Sequence, residues 1–330
     1  SGATPQTTIV VDGFRKKHTR ALIDENDAFH IGSVTKSMTA VLIGMAVSDG
    51  LIRYDDTLEQ LFPQLTIHPS LRNVRLKALL LHEAGIGTID RISREMSPSQ
   101  IATWEKIERA QMDVVQARLW VSQAFLARPK KVSPRNVYSN VGYMVLGHLL
   151  EQLYQKPWET LVSEKLFSPI GMNHCGFGPT SLEGDPDQSP STIWGHYFES
   201  DIYNPVHYDN PPVYGPAGTV HCSLGDLAKY VSFQMDLYHG RSTIVSPVVA
   251  QGLFAAANAE GDTLGSWVRM PDLTTPLLSF KGSNQLNMAF VYLVPDRDRA
   301  MIVTLNAGDD NADAAAEAAV PLAAQAFSKF

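Results

Sequence analysis

Cysteine is nearly absent from this chain: Cys175 and Cys222 are the only two in 330 residues. That excludes a disulfide framework as the source of stability, because a chain this long can bury a large core without one. The two could form one bridge, but the simpler reading is separate, partly buried thiols. Long apolar runs are missing as well. None reaches the ~20 residues needed to cross a bilayer, so no membrane span is expected. A basic excess is also lacking, since 27 Lys and Arg face 34 Asp and Glu, a formal net charge of −7. Arg15-Lys16-Lys17 and the cluster from Arg128 to Lys131 are short and read as solvated turns, which excludes nucleic acid as the main partner. H-E-x-x-H does not occur, and His174, His196, His207 and His221 fall into no ligand spacing, so neither a metal nor a cofactor is expected. Internal repeats and low-complexity tracts are absent.

What is present is the composition of an ordinary globular enzyme, 44% hydrophobic and 18% charged. A small molecule is the expected partner. Oligomeric state and compartment stay open; the chain starts at Ser1-Gly2 without Met, as processing or trimming would leave it.

Elements can be placed by periodicity. Thr7 to Val11, the turn Asp12-Gly13 and Phe14 to Ile23 read as a hairpin. Val34, Met38, Val41, Leu42 and Met45 recur at helical spacing, and Asp49-Gly50 stops that helix. It is apolar on most faces and should be buried. From Leu58 to about Leu166 the pattern is mainly helical, strongest over Leu76 to Leu81, Ile101 to Ala127 and Val141 to Leu153. Gly178 to Pro216 reads as a long ordered loop. Its Trp194, Tyr197, Tyr203, Tyr208 and Tyr214 either pack that loop or wall a pocket. Ser223 to Asp226 has the form of a capping box for a helix through Met235. Leu277 to Phe280, Asn287 to Val294 and Ala300 to Leu305 read as strands, and Ala312 to Phe327 as a helix kinked at Pro321. The simplest assembly is mixed α/β: an antiparallel sheet from both chain ends, flanked by the first and last helices, with an inserted helical domain. The expected division is 1–57 and 217–330 for the sheet domain and 58–216 for the insert.

Ser33-Val34-Thr35-Lys36 carries the chemistry. Residues three apart share a helix face, so the Lys36 amine can lie beside the Ser33 hydroxyl. Serine needs a base to become a nucleophile, and a buried lysine can serve because burial lowers its pKa. The helix N-terminus favours the negative charge that attack creates. S-x-x-K alone is expected about once by chance in such a chain. Its setting raises its weight, since it follows the apolar Phe29 to Gly32 and opens a buried helix.

Other segments complete the pattern in order: Leu79-Leu80-Leu81-His82-Glu83-Ala84-Gly85-Ile86, Tyr138-Ser139-Asn140 with Val141-Gly142-Tyr143 and Leu146-Gly147, Ala217-Gly218-Thr219-Val220 with Ser223 to Asp226, and a final strand pair through Pro295 and Leu305-Asn306. Together they resemble the serine β-lactamase/penicillin-binding-protein superfamily, on the side of class C β-lactamases, D-aminopeptidases and family VIII-type esterases. The resemblance covers roughly Ile9 to the C-terminus. It implies a β-lactamase/transpeptidase-like fold and an acyl-enzyme mechanism without cofactor. Ser33 would be the nucleophile, and Lys36 and Tyr138 would handle its proton, either one as the base of a coupled pair. Asn140 would hold Lys36 and a substrate carbonyl. Family members carry a helix before the first strand; only Ser1 to Gln6 precede it here, so that helix is expected to be missing or trimmed.

The third family motif, K-T-G or H-x-G on the cleft strand, is altered. Gap-free alignment from Pro295 places Phe280-Lys281-Gly282-Ser283 over K-T-G-S. Phe280 then takes the place of the cation, and Lys281 points away because strand side chains alternate. A shift by one residue would restore Lys281 as the cation. Gly282 would let substrate backbone approach the strand, and backbone N–H groups of Ser33 and Ser283 would form the oxyanion hole. A carboxylate beside Phe280 would lose its partner. The reading is therefore a serine hydrolase with esterase-like preference for a compact, uncharged acyl substrate. β-Lactamase or D-peptidase action, acyl transfer, and a non-catalytic binding descendant of the fold are the alternatives.

Overall fold

After Lys36 no charged residue occurs until Asp49, and a helix with so little polarity has no face to give to water. In the computed structural model, which describes residues 6–89, 95–130, 137–185, 189–270 and 277–318, this segment is the central helix Thr35–Ser48, with residues 35–46 all buried. Its few polar side chains have partners. Val220 N donates to Thr35 Oγ1 at 3.2 Å, Ser37 meets the Tyr230 hydroxyl at 2.6 Å, and Thr39 donates to Pro216 O at 2.7 Å. The segment 216–220 thus serves as a polar seam along an otherwise apolar helix.

Among the described residues, nine short strands form ladders that are all antiparallel. β1 (Ala28–His30) pairs with β5 (Val220–Ser223), which pairs with β2 (Cys175–Phe177). β3 (Gly195–Glu199) and β4 (Ile202–Val206) make a separate hairpin. β6 (Val268–Arg269), β7 (Leu278–Ser283), β8 (Met288–Val294) and β9 (Arg299–Leu305) make a four-stranded sheet in sequence order. Register separates its two faces. Phe280 lies opposite Val291 and packs on the main core; Lys281 lies opposite Phe290, on the face covered by Ala316 of a helical segment at 310–318. The largest buried cluster runs from Ile31 to Leu293 and joins helices and sheet.

The mixed α/β class with antiparallel sheets holds, but several local expectations change. The opening hairpin is reduced to one bridge, Phe14 with Leu22. Among the described residues its segment adds no strand to the four-stranded sheet; it is tied to the sheet's end by Asn306, which donates to Phe14 O at 3.1 Å. The run from Ile101 to Ala127 is two helices, Pro98–Glu108 and Val114–Leu126, because Ala110 takes a positive φ and Asp113 caps the second. The expected loop 178–216 contains the β3–β4 hairpin. Its turn is Ser200-Asp201, both left-handed, without the glycine that marks such turns. Cys175 and Cys222 are not separate thiols. They stand directly opposite on β2 and β5, Cα atoms 4.1 Å apart, and form a disulfide. Ser223 does cap the helix Leu224–Tyr238, accepting from Asp226 N. Pro321 and the end of the last helix lie outside the described residues.

Gly282 is where the sheet meets the central helix. A Cβ there would lie 2.2 Å from Ile31 O and 2.7 Å from the backbone nitrogens of Ser33 and Val34. The close approach that requires glycine is therefore to the protein's own turn, not to substrate as the sequence suggested. Gly282→Ala should cost about 1–3 kcal/mol or more, since backbone cannot yield like a side-chain tip. By calorimetry its thermal midpoint should fall several degrees. Gly252→Ala, inside a helix with nothing within 4 Å of the new Cβ, should be neutral or slightly stabilising. Equal midpoints for the two variants would contradict this packing.

Candidate active site

Ser33 lies in the 3₁₀ turn Gly32–Val34 that runs into the central helix. The turn starts from Gly32 at φ +50°, and a Cβ there would meet Ser283 N at 2.5 Å. Glycine is required twice, at Gly32 and at Gly282, for helix start and strand end to touch.

Lys36, one turn on, is fully buried with its amine among three acceptors: Ser33 Oγ at 3.1 Å, Asn140 Oδ1 at 2.8 Å and Ala217 O at 2.6 Å. Burial holds its pKa well below the usual 10.5. Tyr138 donates to Ser33 Oγ from the other side at 2.6 Å. Tyr138 as a residue is 48% exposed, the solvent-side member of the trio. Loss of hydration pushes its phenol up to about 12, outweighing the lowering effect of the Ser33 hydrogen bond. Ser33 Oγ therefore sits between an amine that sheds its proton easily and a phenol that keeps its own.

Local structure sets these positions. Ser139 caps the helix Asn140–Tyr154, accepting from Gly142 N, and its hydroxyl donates to Gly87 O at 2.7 Å. This fixes Tyr138 just before the helix and Asn140 in its first turn. His82, left-handed at φ 59°, accepts from Ser139 N at 3.1 Å and lies 4.4 Å from the Tyr138 ring centre. Burial, helped by the Lys36 charge, lowers His82 to about 3, so it stays a neutral prop. Tyr143 closes the floor, its ring centre 5.4 Å from Lys36 Nζ and its hydroxyl on Leu80 O and Ser266.

The segment that leads to Ala217 is held from behind. Buried Arg118 donates to Pro212 O at 2.9 Å and Val213 O at 3.3 Å, with Glu151 and Glu159 as counter-ions. Nothing local in the sequence announces this support, because Arg118 and Ala217 lie on separate elements.

Of the altered third motif, Gly282 and Ser283 lie against the Ser33 turn. Phe280 is on the Gly282 face, with Trp267 at 6.1 Å. Lys281 is on the opposite face, ion-paired with Asp313 and 5.5 Å from the Phe290 ring centre. Three of the loop aromatics pack on neighbours, Trp194 against Lys16 and His207, Tyr203 against Phe198 and Tyr214 against Trp104, whereas Tyr197 and Tyr208 are exposed. Sequence reading missed His30 and Asp209, which form a buried pair at 2.9 Å across 179 residues; only the polar residue between Phe29 and Ile31 hinted at it.

With this geometry in hand, comparison with known proteins decides the family. A β-lactamase family profile matches residues 4–326. The chain belongs to the β-lactamase family. Among curated relatives, a β-lactamase of Pseudomonas fluorescens is 26% identical over 223 residues, 68% of this chain and 55% of that protein. The unguisins hydrolase ungD of Aspergillus violaceofuscus is 25% identical over 240 residues, 65% of this chain and 37% of that protein. The chain thus covers less than two thirds of these relatives' own length. A penicillin-binding protein from Bacillus halodurans superposes with a TM-score of 0.73 at 20% identity, covering 96% of this chain and 94% of that one. The β-lactamase family is one of hydrolases, and no described helix of this member is long and apolar enough to cross a membrane.

Because Lys36 and Tyr138 share one oxygen, their losses should not add. Lys36→Ala and Tyr138→Phe should each slow acylation by an activated ester about 10³-fold, and the double variant should be little slower. Single-turnover rates that multiply in the double variant would show two independent roles.

Proposed function

We propose that this protein is a serine hydrolase that forms an acyl-enzyme on Ser33 and favours esters of compact, uncharged acyl groups. The observation that carries the proposal is the shared hydrogen bonding of Ser33 Oγ by Lys36 and Tyr138. With the Lys36 amine neutral, its two N–H groups satisfy Asn140 Oδ1 and Ala217 O, and its lone pair is left for the Ser33 O–H. Lys36 is then the base and Tyr138 the acid. Ser33 Oγ bonds to the acyl carbon while its proton passes to Lys36 Nζ. Collapse breaks the bond to the leaving group, whose oxygen takes a proton from the Tyr138 hydroxyl as Lys36 reprotonates it. Water follows the same route in reverse to release the acid. Backbone N–H groups of Ser33 and Ser283, brought together by the two glycines, receive the oxyanion.

The preference for uncharged substrates rests on the third motif. Phe280 stands where the family places a cation, and Lys281 is engaged by Asp313 on the far face of the sheet. A substrate carboxylate would enter beside a ring with no charge to offer. Relatives named as β-lactamases and carboxypeptidases make β-lactams and D-peptides the rival substrates.

Two experiments separate these readings. Brief exposure to an activated neutral ester should add one acyl mass to the intact protein and none to Ser33→Ala; an equal adduct on the alanine variant would remove Ser33 from the mechanism. Phe280→Lys should raise kcat/KM for a penicillin about ten- to hundredfold, the worth of a charge-assisted hydrogen bond, and leave a neutral ester unchanged or slower. If instead Lys281→Ala abolishes penicillin turnover and Phe280→Lys gains none, Lys281 is the anchor and the esterase preference is wrong.

A further inference from the structure

The buried pair His30–Asp209 belongs to a larger network that the proposed chemistry does not use. Gly32 N donates to His30 Nδ1 at 3.1 Å, so the ring proton is on Nε2, which meets Asp209 Oδ2 at 2.9 Å. The other carboxylate oxygen, Oδ1, accepts from Asn284 Nδ2 at 2.9 Å. Asn284 in turn uses its own oxygen to hold Leu286 N at 3.1 Å and Asn287 N at 2.8 Å, shaping the turn from β7 to β8. His30 and Asp209 side chains are 0% and 1% exposed.

A carboxylate this dry is costly unless both oxygens are satisfied. Here one oxygen reaches the residue before Ser33 through His30, and the other reaches the residue after Ser283. These are the two backbone segments that touch at Gly32 and Gly282. Asp209 comes from neither; it lies beyond the β3–β4 hairpin and enters from the side.

We propose that Asp209 is a positioning residue that sets the separation of the Gly32–Ser33 turn and the Ser283–Asn284 strand end, and with it the width of the oxyanion site. This rests on the reading of Ser33 as nucleophile. The two glycines allow the segments to meet but do not fix how far apart they sit. Asp209 fixes it by accepting from both sides. An asparagine of the same shape presents an N–H to one of two donors, so one arm must release. The oxyanion donors would then miss the tetrahedral oxygen more than the planar carbonyl, since only the tetrahedral state needs both at full strength.

The test compares Asp209→Asn with wild type, at least 20 °C below either thermal midpoint, using an uncharged alkylboronic acid that forms a tetrahedral adduct on serine. The variant should bind the boronate at least tenfold more weakly and show a kcat lower by a similar factor. KM for the neutral ester should move less than threefold. Asn284→Ala leaves the His30 arm in place and cuts the strand arm, together with the bonds its oxygen accepts from Leu286 N and Asn287 N; it should give the same pattern in weaker form, which keeps the test open if Asp209→Asn fails to fold. Boronate affinity unchanged in a folded variant, or shifted in step with KM, would overturn the positioning role. Failure of wild type to take up the boronate on Ser33 would overturn the serine hydrolase reading instead.

Discussion

The amine of Lys36 is the constraint on which the rest of the site depends. It is buried completely, and a buried amine must have every hydrogen satisfied or lose its proton. The three atoms around it come from three parts of the chain: Ser33 from its own turn, Asn140 from the first turn of a second helix, Ala217 from the segment behind. Each needs its own support. Ser139 and His82 hold the first turn of the second helix, and Arg118 holds the segment before Ala217. Much of the polar interior can be understood as what it takes to keep one nitrogen dry and within reach of one hydroxyl.

The second constraint is closeness of backbone to backbone. Two glycines without side chains let the end of β7 lie on the start of the central helix. The same contact fixes the faces of the strand. Gly282 toward the helix puts Phe280 toward it as well, and sends Lys281 to the far side with Asp313. Register alone therefore keeps Lys281 off the face that meets the Ser33 turn.

What could be read from the sequence was what depends on near neighbours. Ser33 and Lys36 are three apart where a helix begins, Ser223 caps the helix it precedes, and Asn287 to Val294 reads as a strand. Those signals are local, and the structure has each of them. The pairs that escaped are long-range: His30 with Asp209, Lys36 with the Ala217 carbonyl, Arg118 with the backbone of Pro212. No periodicity marks a residue that is polar because of something 179 positions away. Gly195 to Val206 escaped for a different reason, since Ser200-Asp201 turns the chain without the expected glycine. Cys175 and Cys222 escaped because only the β2–β5 register puts them opposite each other. The resemblance to the β-lactamase family supplied the order of the motifs but not these supports.

The protonation of Lys36 gives the most direct test of the account. Burial places its folded pKa below that of the unfolded chain, so the unfolded state binds the extra proton in between, and stability should rise with pH across that window. The nitrogen itself can be watched by ¹⁵N NMR of protein labelled at lysine Nζ, with Lys36→Met to assign the signal. The account requires a resonance that changes from ammonium to neutral amine well below pH 10.5, while the exposed lysines titrate near their usual value. A Lys36 signal that remains ammonium up to about pH 10.5 would contradict it, because Ser33 would then have no base beside it.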